Sequence, residues 1–265
     1  MRLAVFILLL GCLCRTAIAE VAELRIALWV ADAREVGRSA ASPPPTVGLG
    51  AFNEELAREI CRRINARCLT ENVLFADILP GLEASRFDLG FGNFLRTPER
   101  EKRVAFSDAI WSSSSRLLGR SDNSRQLEAR FGPEIRLDNL RDLRVGGVLG
   151  TQQYAYLERI AGERGLSLSG FRTMGEALNR LADGQVDICL LPMLSAYELL
   201  RRDVPGAFEF IGPPLVDNGL GGTVHVALAK GREPLRRAVN SAIAAVRADG
   251  TYHRLQRRHF PFSLE

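Results

Sequence analysis

The chain of 265 residues, 46% of them hydrophobic, can bury one large core or two of medium size, and two lobes suit that length better. Its net charge of +4, from 35 basic against 31 acidic residues, is too small to mark a nucleic-acid surface. The densest basic run, Arg254–Arg258 with Lys230 and Arg232 upstream, lacks interleaved aromatics and reads as a solvated helix face, so no nucleic-acid partner is expected.

The chain opens with Met1–Ala19, which has the parts of a secretory leader (residues 1–19). Arg2 supplies the positive start, Leu3–Leu10 the apolar run, and Ala17-Ile18-Ala19 the cleavage site. The apolar run is short for a membrane span, and no other stretch approaches the length required. A soluble exported protein follows, with lipid attachment at Cys12 of Leu9-Leu10-Gly11-Cys12 as the alternative. Cys12 and Cys14 fall in the leader. The remaining Cys61, Cys68 and Cys189 belong to a compartment where disulfides persist.

Leu24–Val30 alternates as a first strand, with Trp29 near its end as either a wall of a site or ordinary core. Ala31–Val47, with Pro43–Pro45, is a polar loop. A helix follows, with Asn53 as its cap, Glu54 and Glu55 in the first turn, Arg62 and Arg63 in the last, and Phe52, Leu56, Ile60 and Ile64 as the buried stripe. Cys61 and Cys68 flank the reversal from this helix to a strand at Leu69–Leu74, where they form either a bridge or two separate buried thiols. Phe75 leads into a short helix containing Ile78, Leu79 and Leu82.

Arg86–Trp111, RFDLGFGNFLRTPEREKRVAFSDAIW, carries the most chemistry. Phe87, Leu89 and Phe91 alternate as a strand until Gly90, Gly92 and Asn93 break the pattern, exposing backbone N–H groups and leaving room for a ligand. Thr97 is placed to cap a helix whose first position is Pro98, which carries Arg100 one turn in. From there a guanidinium can reach back over the strand end and fork two hydrogen bonds onto a carboxylate. The competing reading is a solvated arginine in the charged run Glu99–Arg103.

From Ser112 the chain leaves this first unit. Ser121–Leu140 is polar. Leu143–Leu149 is a new strand, followed by Gly150, Thr151 and a helix from Gln152, an arrangement that favours anions because free N–H groups and the helix dipole face one point. LEASRFDLGFG and LADGQVDICLL echo each other as helix end, turn, aspartate and strand, so Asp88 and Asp187 read as strand-entry residues. The helix before the second copy has a capping box, Thr173 with Glu176, and Gly184 as its stop. Cys189 sits in an apolar strand as core. Phe210–Val216 and Gly219–Ala229 bring the chain back to a long helix, Glu233–Arg247, with Pro234 in its first turn.

Thr97-Pro98-Glu99-Arg100, Phe106-Ser107-Asp108 and Asp249-Gly250-Thr251-Tyr252 together resemble the solute-binding proteins of bacterial amino-acid ABC importers, along nearly all of Leu24–Phe262. The resemblance implies an α/β, two-lobed periplasmic-binding-protein fold, each lobe a central sheet flanked by helices, joined by a two-strand hinge. It divides the chain into 20–116, 117–221 and a return segment 222–265. It also implies that Arg100 clamps a ligand carboxylate, that Asn93 and Leu95 lie where family hydroxyls bind the ligand, and that Phe75 stacks on the ligand body. Thr151 and Gln152 face them from the second lobe. Trp29, Phe94 and Trp111 are further candidates for apolar walls. A Cys61–Cys68 disulfide, a periplasmic monomer and an inner-membrane ABC permease as partner follow from the same resemblance, with no cofactor or metal expected.

Two departures bear on the ligand. Pro192 stands where amino-acid binders pair an aspartate with the ligand ammonium, and Trp29 stands where basic-amino-acid binders place an acid. Either Asp32, Asp77 or Asp217 compensates, or the ligand lacks the amine. An enzyme on this scaffold, similar to cyclohexadienyl dehydratases, and a sensor for a membrane receptor are the alternatives. The P-loop, H-E-x-x-H and G-x-S-x-G patterns are all absent, and His225, His253 and His259 fall outside the expected cleft turns.

Overall fold

The computed structural model describes residues 22–31, 33–37, 47–132, 135–202 and 206–264, so the expected leader with Cys12, the triple proline and Asp32 lie outside the described residues. Ten described strands form two sheets of five. The first runs in the order β2 (Ala66–Val73), β1 (Ala22–Trp29), β3 (Leu89–Leu95), β10 (Gly222–Leu228), β4 (Ala105–Ser113). The second runs β7 (Ser167–Phe171), β6 (Arg144–Val148), β8 (Ile188–Pro192), β5 (Ser115–Arg120), β9 (Phe208–Leu215).

The two sheets share one plan. β1 is parallel to β2 and β3, and β10 is antiparallel to β3 and β4. Correspondingly, β6 is parallel to β7 and β8, and β5 is antiparallel to β8 and β9. The chain passes from the first sheet to the second at Ser114 and returns through residues 216–221. The first crossing lies two residues before the expected boundary at 116, because Ser115 and Arg116 already pair with Pro192 and Leu191.

The internal echo has a physical basis at the strand entries. Asp88 accepts the Arg25 backbone N–H at 2.8 Å and returns its own N–H to the Arg25 carbonyl at 2.8 Å. Asp187 does the same with Arg144, at 2.8 Å both ways. Each aspartate therefore staples the start of an inner strand to its parallel neighbour.

Helix α1 spans Leu49–Arg63 and corrects the expected start at Asn53. Gly48 is the N-cap, with a φ of +115° that favours glycine, and it offers no side-chain acceptor. Leu49 and Phe52 extend the buried stripe backwards, so Asn53 lies a turn inside the helix, buried. Glu54 and Glu55 are likewise beyond the first turn. The missing cap is supplied from both sides: the Glu198 carboxylate on α7 (Met193–Arg202), from the other sheet's side, accepts the Leu49 N–H, and His259 Nδ1, from the C-terminal helix on the same side as α1, accepts that of Gly48 at 3.3 Å. Neither α7 nor α4 (Ser124–Phe131) was among the expected helices.

Cys61 and Cys68 form the expected disulfide, with Cα atoms 6.2 Å apart, tying the end of α1 to edge strand β2. Cys189 is fully buried, and burial pushes its thiol up to about 12, consistent with a core residue. Two family-like motifs prove to be architectural. In Phe106-Ser107-Asp108, Ser107 Oγ accepts the Val226 N–H at 3.0 Å and so ties β4 to β10. In Asp249-Gly250-Thr251-Tyr252, Asp249 accepts the Thr251 N–H at 2.9 Å, and Gly250 turns the chain at φ +74° between α8 (Glu233–Ala248) and α9 (Thr251–His259). Buried Tyr252 then donates its hydroxyl to the Ile110 carbonyl at 2.6 Å. Among the described residues no helix is long and apolar enough to cross a membrane.

The side chain of Asp88 is 6% exposed and also meets Arg232 at 2.8 Å, whereas that of Asp187 is 20% exposed. Asp88→Ala removes the acceptor of the Arg25 N–H and the carboxylate partner of the half-exposed Arg25 and Arg232, and is expected to lower unfolding free energy by about 1–2 kcal/mol. Asp187→Ala is expected to lower it by less, both checked by denaturant melts of the purified variants.

Candidate functional site

The site is organised by a four-residue helix, α3 (Pro98–Glu101), set just past the end of β3. Thr97 Oγ1 accepts the Arg100 N–H at 3.3 Å and Pro98 occupies the first turn, as the residue types require. Arg100 is thereby aimed back over the strand. Its guanidinium donates from Nη1 to the Leu95 carbonyl at 2.8 Å and from Nη2 to the Gly150 carbonyl, across the cleft, at 3.1 Å. It also lies 5.2 Å from the ring centroid of Phe94 and 5.7 Å from that of Phe75.

Only 5% of Arg100 is exposed, and among the described residues no carboxylate lies within ion-pair distance of it. Burial, with help from Arg103, pushes its pKa down to about 10, which leaves it charged at neutral pH. The solvated reading of Arg100 is therefore excluded. A desolvated cation held by two neutral carbonyls is poised for a charged acceptor, which binds a guanidinium roughly twice as strongly as a neutral one.

Arg100 lines a pocket between the two sheets together with Trp29, Phe75, Asn93 and Leu95 from the first side. Thr151, Gln152 and Pro192 close it from the second. Trp111 also lines it, packed edge-on to Phe52 at 5.5 Å. Phe94 does not reach the pocket, and this corrects its assignment as a wall. Its ring turns into the core, 4.9 Å from the centroid of Phe75, and occupies the space a Cβ on Gly92 would need, at 2.5 Å. The room left by Gly92 is thus partly filled from within the lobe. Asn93 has a φ of +56°, a left-handed conformation that Asn tolerates better than most residues, and its Oδ1 accepts from Asn53 Nδ2 at 3.1 Å.

The second side is built around α5 (Gln152–Ala161), whose N-terminus points at the pocket. The Thr151 hydroxyl is committed locally, donating to the Val148 carbonyl at 2.6 Å and accepting the Tyr154 N–H at 3.1 Å. What α5 presents is its positive end rather than a hydroxyl. The preceding Gly150 has φ +78°, and a Cβ there would sit 3.6 Å from Ala76 Cα and Phe75 Cδ1, so the two halves touch at this turn.

Several lining residues escaped the sequence reading. Leu194 and Ser195 come from the first turn of α7, whose apolar spacing was a usable signal. Leu49 follows from the true start of α1. Ser113, Val148, Gln153 and Met174 are placed by tertiary structure alone. Gln153 matters most: its Nε2 donates to Ser115 Oγ at 2.7 Å, and Ser115 Oγ donates to the Leu220 carbonyl at 2.5 Å. The pocket wall is thereby bonded to both interlobe crossings. Asp77 and Asp217 are exposed and do not line the pocket, and no described lining residue is acidic. In this closed form the pocket measures about 40 Å³, room for one or two waters. A larger solute must enter with the halves apart.

The family model of the bacterial extracellular solute-binding proteins, family 3, matches residues 48–262. The histidine-binding periplasmic protein of Escherichia coli (strain K12) is 30% identical over 82% of this chain and 81% of its own. The lysine/arginine/ornithine-binding periplasmic protein of the same organism is 27% identical over 80% of each chain. An ancestral arginine-binding protein solved with arginine bound superposes with a TM-score of 0.76 at 21% identity, over 90% of this chain and 98% of that one, which establishes the two-lobed fold.

Both tryptophans of the chain, Trp29 and Trp111, line the pocket and are 8% and 3% exposed. A bound solute is expected to shift the tryptophan emission, with each of Trp29→Phe and Trp111→Phe removing part of the change. Glu198→Gln weakens the acceptor that caps α1 from the opposite half. It is expected to favour the open form, read as an increased radius of gyration by solution scattering and a several-fold weaker affinity for any solute that binds.

Proposed function

The chain belongs to the bacterial extracellular solute-binding proteins of family 3, and from that membership we propose that it binds a small carboxylate, an amino acid or a related compound, in the periplasm. The two lobes close on the solute, and the closed form is what an inner-membrane ABC permease receives. The protein acts as a monomer and returns its ligand chemically unchanged. Arg100 forms the carboxylate clamp. The α5 N-terminus with Thr151 and Gln152 faces it, Asn93 adds an amide donor, and Trp29, Phe75, Leu95 and Pro192 hold the body of the solute.

The observation that carries this reading is the buried guanidinium of Arg100, bonded to one carbonyl from each side of the cleft and to no carboxylate among the described residues. A solute carboxylate supplies the missing charge, offsets the desolvation that depresses the Arg100 pKa, and joins the two halves through one group. Closure and occupancy are coupled in this way.

Arg100→Ala is expected to abolish the thermal stabilisation that a binding carboxylate gives the parent, a loss of about 2–5 kcal/mol of binding free energy. Arg100→Lys should recover little, since an ammonium cannot reproduce the forked geometry. Equal stabilisation of parent and Arg100→Ala would remove Arg100 from the site. Recovery of the solute unaltered after prolonged incubation with the protein checks the absence of turnover.

A further inference from the structure

We infer that the solute is a carboxylate without an ammonium group: an aryl or alkyl acid whose substituent next to the carboxylate is neutral, such as a 2-oxo acid. The inference rests on the Arg100 clamp and concerns what surrounds it. A zwitterion brings a cation into the same small space as its carboxylate, and that cation needs an anion or several free acceptors when buried. The pocket supplies no anion among its described lining residues, and the acceptors nearest Arg100 are taken.

The charges are one-sided. Arg100 is the only charged residue among the described lining residues, and the N-terminus of α5 adds to the same sign. Asp77 and Asp217 are exposed outside it, and the Glu198 carboxylate beside Leu49 accepts the Leu49 N–H rather than lining the pocket. Pro192 occupies the end of β8 facing the pocket, where it carries no charge.

The acceptors nearest Arg100 each already receive a hydrogen bond. The Leu95 and Gly150 carbonyls receive Arg100 at 2.8 and 3.1 Å. The Val148 carbonyl receives the Thr151 hydroxyl at 2.6 Å, and that hydroxyl oxygen receives the Tyr154 N–H at 3.1 Å. Asn93 Oδ1 receives Asn53 Nδ2 at 3.1 Å, so Asn93 has its Nδ2 donor left to offer. The polar side of the pocket thus combines donors with the neutral oxygens of Gln152, Gln153 and Ser195 and holds no anionic acceptor among its described residues, which suits carboxylate and carbonyl oxygens better than an ammonium. The remaining wall, with Trp29, Phe75, Trp111, Leu49, Met174 and Leu194, suits an apolar body.

The test uses the protein from residue 20 onward and calorimetric titration of matched pairs that share a body: phenylpyruvate with phenylalanine, and 4-methyl-2-oxopentanoate with leucine, alongside arginine and histidine. The oxo acid of a binding pair is expected to bind at least tenfold more tightly than its amino acid, with arginine and histidine weaker still. Equal or tighter binding of any of the four amino acids overturns the inference. If that amino acid also loses its binding in Arg100→Ala, the clamp stands and only the inference about the amine falls; if binding survives Arg100→Ala, the clamp falls as well. A panel in which no carboxylate binds the parent overturns both. Pro192→Asp places an anion in the pocket and is expected to reverse the preference toward the amino acid of each pair, whereas Pro192→Asn retains it. An unchanged preference in Pro192→Asp counts against the inference, because it locates the discrimination elsewhere.

Discussion

A guanidinium taken out of water must be surrounded by acceptors, and most of the geometry of this protein can be traced to how that is done for Arg100. The capped turn at Thr97 and Pro98 directs the side chain inward, and the end of β3 supplies the first carbonyl. The second carbonyl belongs to the other half of the molecule, at a turn whose glycine adopts a left-handed φ while lying against α2 (Phe75–Glu83). The stacked pair Phe75 and Phe94 covers the remaining face of the cation. The same few atoms therefore define the polar floor of the pocket, the closest approach of the two lobes and the electrostatic sign of the cleft.

Around that point the chain uses one sheet plan twice. The repetition is visible in the strand orders and, more finely, in the reciprocal backbone and carboxylate bonds that Asp88 makes with Arg25 and Asp187 makes with Arg144. Function separates the copies. The first copy runs its inner strand into α3 and the clamp. The second runs its inner strand into Pro192 and α7, from which Glu198 reaches across to cap α1. The lobes are thus alike as scaffolds and complementary at their facing ends.

What could be read from the sequence was what is local. Thr-Pro-Glu-Arg specifies a capped turn and a direction for Arg100 within four residues, and the alternation of β1 and β3 places Trp29 and Asn93 near strand ends. The Asn53 cap failed because Asn, Glu and Glu in succession imitate a helix start. The actual start depends on a carboxylate 149 residues away, which no local pattern encodes. Phe94 failed for a related reason: beside Asn93 in its left-handed conformation, its ring turns inward over Gly92. Gln153 carried no signal at all, since a glutamine on the first turn of a helix is ordinary until Ser115 is brought beside it by the fold.

That glutamine has a mechanical consequence. A single strand between two bodies can swivel as well as bend, so the bodies sample many mutual orientations. Here the two crossings are laced together, since Ser115 at the head of one bonds Leu220 in the other, and Gln153 bonds Ser115. A laced pair resists shear between its strands and yields mainly by flexing about one axis. Such lacing restricts how the lobes can shift relative to each other and favours the register in which Gly150 lies over Arg100. Fidelity of recognition in this molecule is thus partly a property of its hinge, since a solute is measured against a favoured alignment of walls.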